Sequence, residues 1–284
     1  MNLLHEQVIR NYYVERCIES AVKQGLLKGS LHLSIGQEAC DVGIISAFNN
    51  PLVFGNHRSH GQFLATTGNL DNLISQLKEG MSQHLYREDT FLSHGIQGGL
   101  CPIAVGNALA FKKKGVNRRV VCFIGDGTLA QGTFTESLYL ASVYQAPVTF
   151  VVIDNRYSMS ETKLPRCREN FYFVTDLIRA YGIKCSVELD SKNVLGLYGI
   201  ASNINVLDGP NSIYVKCNRL CGHSCSDTQM YRSKEELTQE YFDKHSPFIF
   251  SKSKVAPIVT YEIKVEIIET FVKHFTGFKY VFTD

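Results

Sequence analysis

No apolar run in the 284-residue chain approaches the roughly 18 residues needed to span a bilayer. Nor is there an excess of either charge: 29 Lys and Arg stand against 27 Asp and Glu, a formal net charge of +2. These two absences give no reason to propose a membrane surface or a nucleic acid as partner. The opening stretch MNLLHEQVIRNYYVERC carries acidic groups and has no long apolar core, unlike a signal or transit peptide. The nine cysteines are an odd number, scattered from Cys17 to Cys225, so the expectation is free thiols in the cytoplasm rather than a disulfide framework. There is no internal repeat, no low-complexity segment and no linker. A chain of this length suits one large α/β unit, so residues 1–284 are expected to form a single domain, with 246–284 as a helical tail.

What is present is periodic. Val8, Ile9, Tyr12, Tyr13, Cys17, Val22 and Leu26 recur at helical spacing and predict a helix over 3–27, ended by Gly29. Further helices are expected over about 37–47, 71–79 and 103–114, the last closed by three lysines that suit the negative end of a helix dipole. The histidine-rich GNHRSHG lies between two of them and reads as a loop. VVCFI (120–124) and VTFVVI (148–153) are short apolar runs rich in β-branched residues, the pattern of strands buried on both faces of a parallel sheet. Thr133 and Glu136 between them have capping-box spacing at the start of a helix, so the segment is a βαβ unit with a right-handed crossover. SIYVKC (212–217) predicts a further strand, and YEIKVEIIETFVKHF a helix in the tail. The fold class is α/β: a doubly wound, mainly parallel sheet with helices on both faces.

In such a sheet, side chains at the carboxyl ends of neighbouring strands share one crevice. Asp126 ends the first strand and Asn155 follows the second, 29 positions later. A carboxylate with an amide oxygen is a hard-oxygen pair suited to Mg²⁺ or Ca²⁺, and Mg²⁺ commonly completes its octahedron with phosphate oxygens and water. Gly127 leaves backbone N–H groups open to an anion, and the following helix adds its positive end. The arrangement asks for a metal diphosphate, although GDG and DN are also ordinary turn sequences. Cys217, Cys221 and Cys225 are spaced around His223 in a way that invites a metal-site reading, with small core thiols as the alternative.

GDG, about thirty residues and an asparagine, embedded in GDGTLAQGTFTESLYLASVYQAPVTFVVIDNRYSMS, resembles the thiamine-diphosphate signature of one family. That family is the alpha subunit of the thiamine-dependent first component of 2-oxo acid dehydrogenases (pyruvate or acetoin type). GSLHLSIGQEACDVGI, HRSHG, GIQGGLCPIAVGNALA and GHSCSDTQMYRSKEEL fall in the same order as in that family and extend the resemblance over nearly the whole chain. It implies the thiamine-diphosphate-binding fold in its diphosphate-side form, with thiamine diphosphate and Mg²⁺ as cofactors. By position, Asp126, Asn155 and the carbonyl of Tyr157 would hold the metal, and the backbone of Gly127 and Thr128 would meet the diphosphate. Arg58 would bind the diphosphate directly, and His32 and His57 would contact the cofactor. The backbone around Gly95 and Gln97 would meet the aminopyrimidine. His223 would face the reacting centre and move protons, as the pKa of a histidine suits it to do. His60, in the same HRSHG motif, is the second catalytic candidate.

The resemblance further implies a beta subunit that supplies the pyrimidine-side domain and a catalytic glutamate, two copies of each chain, and a lipoyl acyltransferase as acceptor. Acetoin dehydrogenation, transketolase-like two-carbon transfer and a non-catalytic scaffold subunit stand as alternatives to pyruvate decarboxylation. The chain departs from the family at several places. His57 replaces a tyrosine, Gln97 a small apolar residue and Asp154 an asparagine; KEGMSQHLY (78–86) is short and poor in glycine; the usual PG after Ser226-Asp227 is missing, and the C-terminal region is short. These departures gather on the substrate side.

Overall fold

Strand side chains alternate between the faces of a sheet, and in the centre of this chain both sets are apolar, so both faces require cover. The computed structural model describes residues 2–158, 171–205 and 208–282; Met159 and Ser160, at the end of the GDG stretch quoted above, lie outside them. Strands β1 (Leu52–Gly55), β2 (Tyr86–Arg87), β3 (Phe91–Ser93), β4 (Val120–Gly125), β5 (Val148–Asp154), β6 (Lys184–Glu188) and β7 (Asn211–Lys216) form one sheet in the order β2-β3-β1-β4-β5-β7-β6. Every pairing is parallel except that of the short β2 with β3. The helices are α1 (Asn2–Lys23), α2 (Glu38–Ile45), α3 (His60–Thr67), α4 (Leu70–Lys78), α5 (Leu100–Lys113), α6 (Gly132–Tyr144), α7 (Phe171–Ala180), α8 (Val194–Asn205), α9 (Gln239–His245), α10 (Pro247–Lys252) and α11 (Pro257–His274).

Two apolar clusters cover the sheet. Val121, Phe123, Val151 and Ile153 pack with α1, α2, α3, α8 and α11 on one face. Val120, Cys122, Ile124, Phe150 and Val152 pack with α5, α6 and α7 on the other. This is the doubly wound, mainly parallel arrangement expected from the apolar runs. The tail is helical, and α10 and α11 bury Phe248, Ile263, Ile267 and Phe271 in the cluster that contains α1. None of the described helices is long and apolar enough to cross a membrane.

Local differences have local causes. The first helix stops at Lys23 rather than running to 27, because Gly25 takes a left-handed φ of 71°. Gly25 N–H then bonds to Val22 O at 2.9 Å and Leu26 N–H to Ala21 O at 2.8 Å, the paired bonds of a Schellman motif. The fourth expected helix begins at Leu100 instead of residue 103, since Pro102 falls in the first turn, where a missing N–H costs nothing. The capping box does not form: α6 begins at Gly132 after Gln131, and no side chain caps it. Gln131 O already accepts from Phe134 N–H at 3.0 Å, so Thr133 lies inside the first turn.

The chain steps from β1 outward to β3 in one direction and from β4 to β5 and β7 in the other, so strand order reverses between β1 and β4. A crevice is required outside the carboxyl ends of the strands at this point. In the β4–β5 register Gly125 lies opposite Ile153, so Asp126 and Asn155 leave the sheet within one residue of each other.

Candidate active site

The crevice is a cavity of about 210 Å³. Its wall combines His57 and Arg58 after β1, Gly95 and Gln97 after β3, Asp126 and Gly127 after β4, and Asn155 and Tyr157 after β5. His223, from the segment after β7, and His32, between α1 and α2, complete the set of expected residues found here. Segments separated by up to 191 positions (from 32 to 223) thus meet in one volume.

Arg58 anchors one side. It is only 2% exposed, and its turn is held by Asn56, whose Oδ1 accepts the Arg58 N–H at 2.8 Å. Nη1 donates to Leu33 O at 2.7 Å; Nη2 donates to His223 O at 2.7 Å and lies 3.2 Å from His223 Nδ1. Burial pulls the guanidinium pKa down to about 10, which leaves it charged at neutral pH. His32, His57 and His223 pack around this charge, with ring centroids 4.8 to 5.7 Å apart. Burial, followed by the Arg58 charge, depresses His32 to about 3, His223 to about 4 and His57 well below its ordinary value. All three are neutral imidazoles at physiological pH.

Their partners assign tautomers. An arginine can only donate, so His223 Nδ1 accepts from Arg58 and the ring carries its proton on Nε2. Ser30 O can only accept, so His32, at 3.2 Å, is protonated on Nδ1 and keeps its lone pair on Nε2. The segment that carries His223 is built around Asp227, which accepts from His223 N–H at 2.5 Å, Gln229 N–H at 2.9 Å and the Tyr231 hydroxyl at 2.6 Å. These bonds order the segment without the PG pair missing after Asp227.

On the opposite wall, Asp126 Oδ1 accepts from Gly127 N–H at 2.9 Å and Asn155 Oδ1 from Tyr157 N–H at 3.1 Å. Asp154, the acidic neighbour of Asn155, adds no charge to the wall. Its carboxylate accepts from the Tyr214 hydroxyl and from Arg156 N–H, and it does not line the cavity. The Tyr157 hydroxyl is turned to Glu236, 2.7 Å from its nearer carboxyl oxygen.

Two expected residues lie elsewhere. His60 is fully buried on α3, its Nδ1 3.2 Å from both carboxyl oxygens of Glu15, and it does not line the cavity. It belongs to a buried polar layer in which Glu15 also accepts from the Ser34 hydroxyl at 2.6 Å. Thr128 is likewise fully buried and acts from behind the wall, donating its hydroxyl to Gln97 Oε1 at 2.6 Å. Conversely, the cavity is lined by Gln37, Asn56, Gln83 and Ser158, which sequence reasoning did not single out. Asn56 had a signal in GNHRSHG, an Asx residue two places before the arginine; Gln83 had none. The triplet of cysteines does not gather into a group of three metal ligands among the described residues: Cys221 Sγ lies 3.4 Å from Leu33 O, and Cys217 is buried in the core cluster that contains α1.

A family model described as the dehydrogenase E1 component matches residues 6–258. The chain belongs to the dehydrogenase E1 component family. It is 30% identical over 257 residues to the alpha subunit of acetoin:2,6-dichlorophenolindophenol oxidoreductase from Bacillus subtilis, covering 85% of this chain and 76% of that protein. It is 30% identical over 240 residues to the pyruvate dehydrogenase E1 component subunit alpha of Zymomonas mobilis, covering 78% of this chain and 67% of that one. With the human testis-specific mitochondrial form of that subunit, identity is 28% over 249 residues, or 82% of this chain and 62% of the relative.

Membership of the E1 family implies use of thiamine diphosphate and Mg²⁺. The donor chemistry of the wall fits that pair. Among the described residues no three His, Cys, Asp or Glu side chains gather to hold a metal. A cation at this wall would therefore take one carboxylate and one amide oxygen from the strand ends and fill its remaining positions from main chain, water and an anionic ligand, as Mg²⁺ commonly does. The cradle is tight: a Cβ on Gly127 would stand 2.8 Å from Ser158 Oγ. The GQEA motif shapes this region as well. Gly36 has φ 96° and passes so close to the chain that a Cβ would lie 2.1 Å from Asn218 O, while Glu38 accepts from Gly36 N–H at 3.0 Å. Burial raises Glu38 to about 8 and Asp41 well above the usual carboxyl range.

Proposed function

We propose that the chain is the alpha subunit of a thiamine-diphosphate-dependent enzyme that decarboxylates a 2-oxo acid, pyruvate foremost, and passes the acyl group to a lipoyl carrier. The observation that carries this reading is the convergence of Arg58, Asp126, Asn155 and His223 on one cavity at the strand-order reversal. When bound, thiamine diphosphate supplies a nucleophilic carbon and an electron sink for breaking a carbon–carbon bond. This chain's residues do the rest on their side. Asp126, Asn155 and the Tyr157 carbonyl would hold Mg²⁺, and Arg58 with the backbone of Gly127 and Thr128 would hold the diphosphate. His223, which lines the cavity with its proton on Nε2, would be a neutral donor, suited to giving a proton or a hydrogen bond to an oxygen that gains charge. His32, with its lone pair on Nε2, would be the complementary acceptor.

A beta subunit would supply the pyrimidine-side domain and the catalytic glutamate, in an assembly of two alpha and two beta chains, with a lipoyl acyltransferase beyond it. The cytoplasm and a single domain over 1–284 belong to the same reading. Acetoin cleavage is the second reading, supported by the likeness to the alpha subunit of acetoin:2,6-dichlorophenolindophenol oxidoreductase and kept open by the departures at His57 and Gln97. The test is reconstitution of the chain with its beta partner and assay on pyruvate and on acetoin with thiamine diphosphate and Mg²⁺. Turnover that requires both chains is expected; turnover by the alpha chain alone would sink the proposal, and a preference for acetoin would select the second reading.

A further inference from the structure

Two of the departures from the family's sequence pattern, His57 and Gln97, lie 40 positions apart and bond to each other: Gln97 Nε2 is 2.8 Å from His57 Nδ1. The other end of the Gln97 amide is also engaged, since its Oε1 accepts the Thr128 hydroxyl at 2.6 Å. Thr128 is fully buried. Turning the amide around would leave the Thr128 proton with no acceptor among the described residues, so the hydroxyl fixes the amide and the amide N–H is the group that meets His57. Nδ1 of His57 therefore accepts. The ring lines the cavity beside the buried Arg58 charge, and its burial keeps it neutral.

We infer that the Thr128–Gln97 pair locks His57 as the Nε2–H tautomer, so that His57 is a neutral hydrogen-bond donor for an anionic ligand oxygen beside Arg58 and not a base. The lock gives the site a donor where the family's tyrosine would offer a hydroxyl, and Gln97 is the partner that a histidine needs and a tyrosine does not. An anionic oxygen at this place could belong to the diphosphate or to the carboxylate of a 2-oxo acid. This inference rests on the proposed function for its ligand, while the tautomer itself does not.

The test has two arms. A neutron structure of the assembled enzyme without cofactor should show deuterium on Nε2 of His57 and none on Nδ1; deuterium on Nδ1 would overturn the inference. In the second arm, His57→Leu should weaken either thiamine diphosphate binding, read by calorimetry with Mg²⁺, or the KM for the 2-oxo acid by about tenfold, the scale of one hydrogen bond. A change in binding assigns the oxygen to the diphosphate, a change in KM alone to the substrate, and no change in either contradicts the donor role. His57→Gln, which keeps an N–H donor and has no basic nitrogen, should recover part of what His57→Leu loses on the same measure; behaviour no better than His57→Leu would also overturn it. Failure of the wild type to bind thiamine diphosphate would sink the functional reading and leave the neutron result standing.

Discussion

Replacing Arg58 by methionine separates what this residue does for the fold from what it does for the ligand. The guanidinium makes hydrogen bonds to two carbonyl oxygens, of Leu33 and His223. Orphaning each costs about 1–3 kcal/mol, so the loss is about 2–6 kcal/mol. Against this stands the desolvation of a fully buried charge. The fall in its pKa from 12.5 to about 10 corresponds to roughly 3 kcal/mol at about 1.4 kcal/mol per unit, and that cost vanishes with methionine. The two effects nearly offset, and the expected net loss of stability lies between about −1 and 3 kcal/mol, small enough for the enzyme to stay folded. Ligand binding has no such offset. Losing a desolvated guanidinium–phosphate contact costs about 2–5 kcal/mol, at least about thirtyfold in Kd. The assay is calorimetric titration of the assembled enzyme with thiamine diphosphate and Mg²⁺, with a thermal melt alongside. An unchanged Kd would refute the placement of Arg58 on the diphosphate, and an unfolded variant would refute the offset.

Other consequences follow from buried groups. Glu38, raised to about 8, is protonated in the folded chain at neutral pH; its contribution is fully present below its unfolded value near 4.5 and is lost as pH rises toward 8. Glu38→Gln should therefore gain stability relative to wild type as pH goes from 5 to 8 in thermal melts, and a constant difference would contradict the assignment. His32 and His223 have the opposite sign: depressed to about 3 and 4, they stay neutral in the fold while unfolded imidazoles take up protons, so stability falls as pH drops from about 6.5 toward 4. In wild type the two trends oppose each other, and His32→Gln should flatten the acid side of the stability profile. Gly36→Ala should destabilise by about 2–4 kcal/mol, since its φ is left-handed and the added methyl meets backbone; a neutral substitution would show that the turn rearranges freely.

The centre of the sheet was legible because β4 and β5 are buried on both faces and are apolar along almost their whole length, Thr149 and the terminal Asp154 excepted. The edge strand β6 was not: its side chains are half-buried or exposed, and KCSVE carries no such run. β1 is four residues long, too short to show a period. The wall formed by Asp126 and Asn155 was readable from strand ends alone, because parallel register carries them to one place. The bond between His57 and Gln97 was not readable, since no local rule links residues on different loops. His60 was misplaced for the same reason: its partner Glu15 lies on α1, and that long-range contact, not the HRSHG motif, decides where the ring sits.

The central claim is that Asp126 and Asn155 form the cation side of a metal-diphosphate site. Its most direct measurement is thiamine diphosphate binding by the assembled enzyme, titrated against Mg²⁺ in wild type and in Asp126→Ala. Wild-type affinity should rise with Mg²⁺, and the variant should lose that dependence while its secondary structure, read by circular dichroism, is unchanged. Equal, Mg²⁺-dependent binding by both proteins would contradict the account.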